Sequence, residues 1–71
     1  MNELKKAFEK ALSDLNTIDW SETDGHDIKE ILKTNFNNIS SNKSKIKSLI
    51  ESYTHFNKYQ KYLTVKLLEE C

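Results

Sequence analysis

The chain lacks or nearly lacks several residue types that stabilise small proteins or interrupt their helices and strands. Its 71 residues include no proline and no arginine, a single glycine and a single cysteine. One cysteine, Cys71, cannot form an intrachain disulfide, so we expect a fold that does not depend on oxidation. One glycine, Gly25, leaves no glycine-rich phosphate-binding loop. No stretch approaches the ~20 apolar residues that a membrane-spanning helix needs, and the sequence therefore predicts no membrane span.

The N-terminal segment also lacks the apolar region of a secretory signal. Residues 1–12 carry charges throughout, whereas a signal peptide requires an uninterrupted apolar stretch. We therefore expect a cytoplasmic protein. A chain this short forms one domain at most, and it buries only ~60% of the surface that its unfolded form exposes.

The charges are balanced in number but not in position. Eleven lysines balance eleven acids, so the net charge is zero. Residues 14–30 contain six acids and one lysine, whereas residues 43–66 contain six lysines and one acid. Either these two segments face each other within the fold, or one of them faces a partner.

Apolar residues recur at helical spacing almost everywhere, which predicts an all-α fold. We predict one domain, residues 1–71, built as a small three-helix bundle. The helices are expected at about residues 2–16, 24–38 and 43–69, with Asn2 as the N-cap of the first.

The third predicted helix is much longer than the other two. A continuous helix over residues 43–69 would be ~40 Å long, against ~22 Å for each of the others. Such a helix must bend or project beyond the bundle and expose apolar surface, so we expect self-association as a homodimer. Gln60 lies within its apolar stripe, where a polar residue either sets the register of a helix pair or lies at a wet edge.

One face of the last predicted helix carries residues that amphipathic packing does not require. His55, Tyr59, Tyr62 and Lys66 lie roughly opposite its apolar stripe. Tyrosines concentrate at protein interfaces because they combine a large contact area with a hydroxyl group. We expect this face to bind a protein partner, together with the acidic residues Asp19, Glu22 and Asp24. The alternative is that these tyrosines are ordinary surface residues or are covered by the first helix.

A third face of the same helix carries a row of lysines: Lys43, Lys47, Lys58 and Lys61. Such a row could lie along nucleic-acid phosphates. Arginine, the usual bidentate reader of guanine, is absent. A lysine face is also commonly just solvated, so nucleic-acid binding is the alternative interpretation.

Familiar catalytic and metal-binding motifs do not fit the sequence. An EF-hand loop with Gly25 at position six would place Trp20 at position one and Ile31 at position twelve, where calcium needs oxygen ligands. His26 and its acidic neighbours are too few for zinc, with His55 on another segment. A helix-turn-helix with its turn at residues 38–42 is disfavoured by the length of the helix that follows. We expect no metal, no cofactor and no catalytic activity.

The sequence therefore favours a small non-enzymatic regulator or inhibitor that acts by binding another protein. A lysine- and asparagine-rich composition without arginine suggests an AT-rich genome, and a phage- or mobile-element-encoded modulator of a host protein is the specific expectation. The alternatives are a nucleic-acid-binding transcription regulator and a self-assembling structural subunit.

Overall fold

The computed structural model describes residues 3–71 and contains four helices in that range. They are α1 (Glu3–Leu15), α2 (His26–Asn35), α3 (Ile39–Ser52) and α4 (Lys58–Glu70). No strand occurs among the described residues, so the all-α prediction is confirmed. The three-helix prediction is wrong, because the segment expected to form one long helix forms two.

The four helices form a closed ring of packed pairs. α1 packs against α2 and α3, and α4 packs against the same two helices. The radius of gyration is 11.0 Å, which matches the ~11 Å expected for a folded domain of this length. The longest dimension of the Cα trace, 34 Å, is shorter than the ~40 Å that a continuous helix over residues 43–69 would need.

The core lies at the centre of this ring and draws on all four helices. Ile28, Ile46 and Leu68 are completely buried. The other buried apolar residues are Phe8, Ala11, Leu15, Leu32, Phe36, Ile50, Phe56 and Leu67. They recur at steps of three and four along α1, α2 and α3, as the sequence pattern predicts, whereas α4 contributes the adjacent pair Leu67 and Leu68.

The first predicted helix ends one residue early, and the second is shorter than predicted at both ends. α1 ends at Leu15, and the predicted cap Asn2 lies outside the described residues. α2 begins at His26 rather than at residue 24, because Gly25 has a positive φ of 95° and lies outside the helix. α2 ends at Asn35, because the backbone of Phe36 is extended and its side chain turns into the core.

The third helix begins earlier than predicted. Residues 39–42, which lie between the second and third predicted helices, belong to α3, and the link from α2 is the three-residue segment 36–38. The turn proposed for a helix-turn-helix at residues 38–42 therefore lies mostly inside α3. α2 and α3 are also not among the packed helix pairs, whereas the two helices of that motif pack on each other.

Residues 53–57 divide the predicted last helix into α3 and α4. Tyr53 adopts an extended conformation, and the ring of Phe56 is buried. Asn57 then starts α4 through a capping box: its side-chain oxygen accepts from Gln60 N at 2.8 Å, and its backbone N–H donates to Gln60 Oε1 at 2.9 Å. Gln60 therefore caps a helix rather than occupying a seam position.

α3 and α4 fold back on each other as an antiparallel pair. The Lys43 ammonium, near the start of α3, donates to the Glu69 carbonyl at the end of α4 at 3.1 Å. The apolar stripe that would have projected from a long helix is buried within the monomer, since Ile46, Ile50, Leu67 and Leu68 all belong to the core. A homodimer was expected because a long helix would project and expose apolar surface. No such helix is present among the described residues, so this reason no longer applies.

Candidate functional site

A groove runs between α3 and α4 on the outer surface of the helix pair. It has a volume of about 380 Å³. We call it the lysine groove, and its lining consists of Lys47, Glu51, Lys58, Lys61, Tyr62, Val65 and Lys66. Lys47 and Glu51 lie one turn apart on α3, and the other five residues recur at three- and four-residue steps on α4, which places each set on one helix face.

The lysine groove combines positive charge with apolar surface. Its four lysines and one glutamate give a net charge of +3 (4 − 1) at neutral pH. Val65 and the ring of Tyr62 provide apolar surface, and lysine side chains add their methylene stems while their ammonium groups stay in water. This combination suits an acidic ligand that also carries apolar groups.

The predicted lysine row is brought together only in part. Lys47, Lys58 and Lys61 line the groove. Lys43 does not, because its ammonium binds the Glu69 carbonyl at the far end of the helix pair. A cation there satisfies one of the carbonyl groups that the end of a helix leaves without partners, so Lys43 has a structural role.

The predicted tyrosine face is also divided. Tyr59 and Tyr62 are 52% and 64% exposed, and they are the exposed large hydrophobic side chains among residues 3–71. Tyr62 and the exposed Lys66 line the lysine groove, whereas Tyr59 lies beside it on α4. The exposure of both tyrosines was predicted from the sequence, whereas the meeting of Tyr62 with Lys58 and Lys61 in one groove was not.

His55 does not belong to the α4 face on which it was placed. It lies in the connection between α3 and α4, where its ring packs edge-on against Tyr53 at a centroid distance of 5.4 Å. Tyr53 in turn contacts the rings of Phe8 and Phe56. Because the helix is interrupted at this point, His55 is out of helical register with Tyr59.

The acidic candidates lie in the exposed connection between α1 and α2. Asp19 Oδ1 accepts from the Ser21 hydroxyl at 2.7 Å and from the Ser21 backbone N–H at 3.1 Å. These bonds hold the pKa of Asp19 below its ordinary value of 3.8. Asp24 Oδ1 accepts from the His26 N–H at 2.9 Å, at the start of α2. Asp19 and Asp24 thus order the backbone locally, while Glu22 is exposed and makes no such bond.

A second cleft was not anticipated from the sequence. It lies between α1, the link 36–38 and α3, with a volume of about 680 Å³. Four asparagines line it, Asn35, Asn37, Asn38 and Asn42. The amides of two of them already bond within the fold: Asn35 donates to Asp14 and to the Ile31 carbonyl, and Asn42 donates to the Asn38 carbonyl. The abundance of asparagine was the available signal, but its spacing does not reveal a cleft.

Within residues 3–71, no three side chains of histidine, cysteine, aspartate or glutamate converge on a point where a metal ion could bind. None of the described helices has the length and apolar character needed to cross a membrane.

Comparison with known protein families, with curated proteins and with solved structures finds no match for this chain. The function is therefore inferred from the chemistry of its surface.

Proposed function

We propose that this protein is a small non-enzymatic regulator or inhibitor that binds another protein through α4 and the lysine groove. The observation that carries the proposal is the exposure of Tyr59 and Tyr62 on the helix that also supplies Lys58, Lys61 and Lys66. A small domain gains stability by burying such rings, and here they remain at the surface. Tyrosines are enriched at the centre of protein interfaces, and the lysines beside them would belong to the polar rim.

A specific role as a phage- or mobile-element-encoded modulator of a host protein belongs to the same proposal. It is supported only by the small size and the composition of the chain. The acidic candidates Asp19, Glu22 and Asp24 are proposed as secondary contacts, with Glu22 the most available because its carboxylate accepts no hydrogen bond within the fold.

The test is affinity capture from nuclease-treated lysate with three forms of the protein. These are the wild type, the double variant Tyr59→Ala/Tyr62→Ala, and the control Lys6→Ala/Lys10→Ala, which changes two exposed residues of α1. The affinity of any captured protein is then measured with the purified pair.

We expect the tyrosine variant to bind its partner at least about tenfold more weakly, because interface tyrosines commonly contribute more than 1 kcal/mol. Its far-ultraviolet circular dichroism should be unchanged, since both rings are exposed, and the control should bind as the wild type does. Equal binding by all three forms would contradict the proposal.

Nucleic-acid binding is the second candidate, and the convergence of Lys47, Lys58 and Lys61 in one groove favours it. Glu51 in the same groove disfavours it, because a carboxylate repels a phosphate chain. Binding to duplex DNA would weaken by about one log unit per log unit of salt for each phosphate neutralised. An interface centred on tyrosines should be much less sensitive to salt.

A further inference from the structure

The two oppositely charged segments do not neutralise each other within one molecule. The acidic segment, residues 14–30, carries six carboxylates, and all six residues are exposed. An ion pair joins Lys29 to Glu70 at 3.4 Å. It uses the one lysine of the acidic segment and no residue of the lysine groove. The two segments are in contact, as Trp20 packs on Phe56 and α2 packs on α4, but no ion pair among the described residues joins them.

The acidic segment and the lysine groove lie on different sides of α4. A Cβ atom at Gly25 would lie 2.9 Å from Leu67 Cδ1, so the end of the connection between α1 and α2 packs directly on α4. Trp20 of the same connection packs against Phe56, with ring centroids 5.6 Å apart. Leu67 lies about 160° around the helix from Val65, which lines the groove, because each residue advances by roughly 100°. One molecule therefore presents an acidic surface on one side and a cationic groove on the other.

We propose that the lysine groove binds the acidic segment of a second copy of this chain. The groove carries a net charge of +3, and the acidic segment carries six acids and one lysine, a net charge of −5 (1 − 6). The whole molecule has no net charge, so two copies do not repel each other at long range, a condition that promotes association. Val65 and Tyr62 offer apolar contact at the centre of the groove.

The positions of the two surfaces define the form of this association. Because unlike surfaces on different sides of the molecule meet, the contact is head-to-tail, and each added copy leaves one groove and one acidic segment available. The association is weak and sensitive to salt, since it depends on exposed charges. It shares the groove with the proposed function but needs no other protein, so either proposal can fail while the other stands.

The experiment is sedimentation velocity of the full chain from micromolar to near-millimolar concentration. We expect the mean mass to rise with concentration at about 20 mM salt and to return to that of the monomer at about 500 mM, where charges are screened beyond roughly 4 Å. A monomer at every concentration in low salt would overturn the proposal, as would association that salt does not affect.

Variants then test whether these two surfaces form the contact. Lys58→Glu/Lys61→Glu reverses two groove charges in the first turn of α4, where acidic residues suit the helix dipole and folding is not penalised. We expect it to weaken association by about tenfold or more, the effect of losing two exposed ion pairs. The control Lys6→Glu/Lys10→Glu makes the same change in net charge on α1 and should retain association. An equal loss in both variants would assign the effect to net charge and overturn the proposal.

A complementary variant completes the test. Glu22→Lys/Glu30→Lys reverses two exposed charges of the acidic segment that make no hydrogen bond in the fold. Alone, it should associate as weakly as the groove variant. Mixed with Lys58→Glu/Lys61→Glu, it should restore association as a one-to-one dimer, because its unaltered groove (+3) then meets the unaltered acidic segment (−5) of the other variant. If the mixture stays monomeric, the pairing of these two surfaces is wrong.

Discussion

Gly25 is the residue at which backbone geometry and packing both restrict the side chain. Its φ is +95°, and no other residue among 3–71 has a positive φ. A side chain there would also meet Leu67, since a Cβ atom would lie 2.9 Å from Cδ1 and 3.1 Å from Cδ2. Gly25 is the last residue of the connection between α1 and α2 and the N-cap of α2. Glycine is thus required both for the turn and for the close approach of this connection to α4.

We expect Gly25→Ala to lower the free energy of unfolding by about 1–3 kcal/mol, because a Cβ at this φ is strained and must also displace Leu67. Urea denaturation followed by circular dichroism measures the change. The control is Ser13→Ala on the exposed face of α1, which should be neutral or slightly stabilising because alanine is the better helix former. A Gly25→Ala protein as stable as the wild type would contradict this account.

For individual residues of the candidate site, the sequence predicted side-chain exposure but not hydrogen-bond partners. The exposure of Tyr59 and Tyr62 could be predicted, because helical periodicity places them opposite the apolar stripe. The local roles of Asp19 and Asp24 could not, because each depends on a backbone N–H two residues away in a turn. The bond of Lys43, a residue of the predicted lysine row, could not be predicted either, because its partner, the Glu69 carbonyl, is 26 residues away in sequence.

The connection between α3 and α4 is the element that decides the shape of the molecule. Hydrophobic periodicity runs through residues 46–67 without a break, and neither glycine nor proline interrupts it. The break is marked instead by Asn57 and Gln60, whose spacing forms a capping box. This polar pair starts a new helix within an apolar pattern that alone predicts a continuous one.

We expect Asn57→Ala to destabilise the fold by about 1 kcal/mol, the usual effect of losing an N-cap side chain. Asn57→Asp is the matched control, since a carboxylate accepts the same bond from Gln60 N and suits the helix N-terminus. Urea denaturation of both variants measures the difference. If Asn57→Asp loses as much stability as Asn57→Ala, the capping box is not what stabilises the start of α4.

The whole molecule depends on a single small core. A domain of this length is stable by only about 4–10 kcal/mol, and it buries a smaller share of its surface than larger domains do. The core includes one polar side chain among residues 3–71, Thr64, whose hydroxyl donates to the Gln60 carbonyl at 2.7 Å. No buried side-chain nitrogen or oxygen in the described chain lacks a hydrogen-bond partner. Stability therefore depends mainly on how well the apolar side chains of four short helices pack.

We expect Leu68→Ala to lower the free energy of unfolding by about 2–5 kcal/mol, because the side chain is completely buried and truncation leaves a cavity. That is a large share of the total stability. Leu63→Ala, a half-buried position on the same helix, should cost less than half as much. Trp20 fluorescence during urea denaturation reports both, since this single tryptophan packs on Phe56. Equal losses at the two positions would contradict the assignment of Leu68 to the core.

The sequence by itself determined that the chain is helical, that apolar residues at helical spacing face the core, that Tyr59 and Tyr62 are exposed, and that acidic and basic residues are segregated. These properties follow from periodicity and composition, which are local. Only the tertiary structure decided that residues 53–57 reverse the chain, that α3 and α4 form the lysine groove, and that the acidic segment lies on the other side of α4. Those outcomes depend on a capping box and on contacts between residues distant in sequence, such as Gly25 with Leu67 and Lys43 with Glu69. Helical periodicity cannot specify such contacts, because it describes each helix without its neighbours.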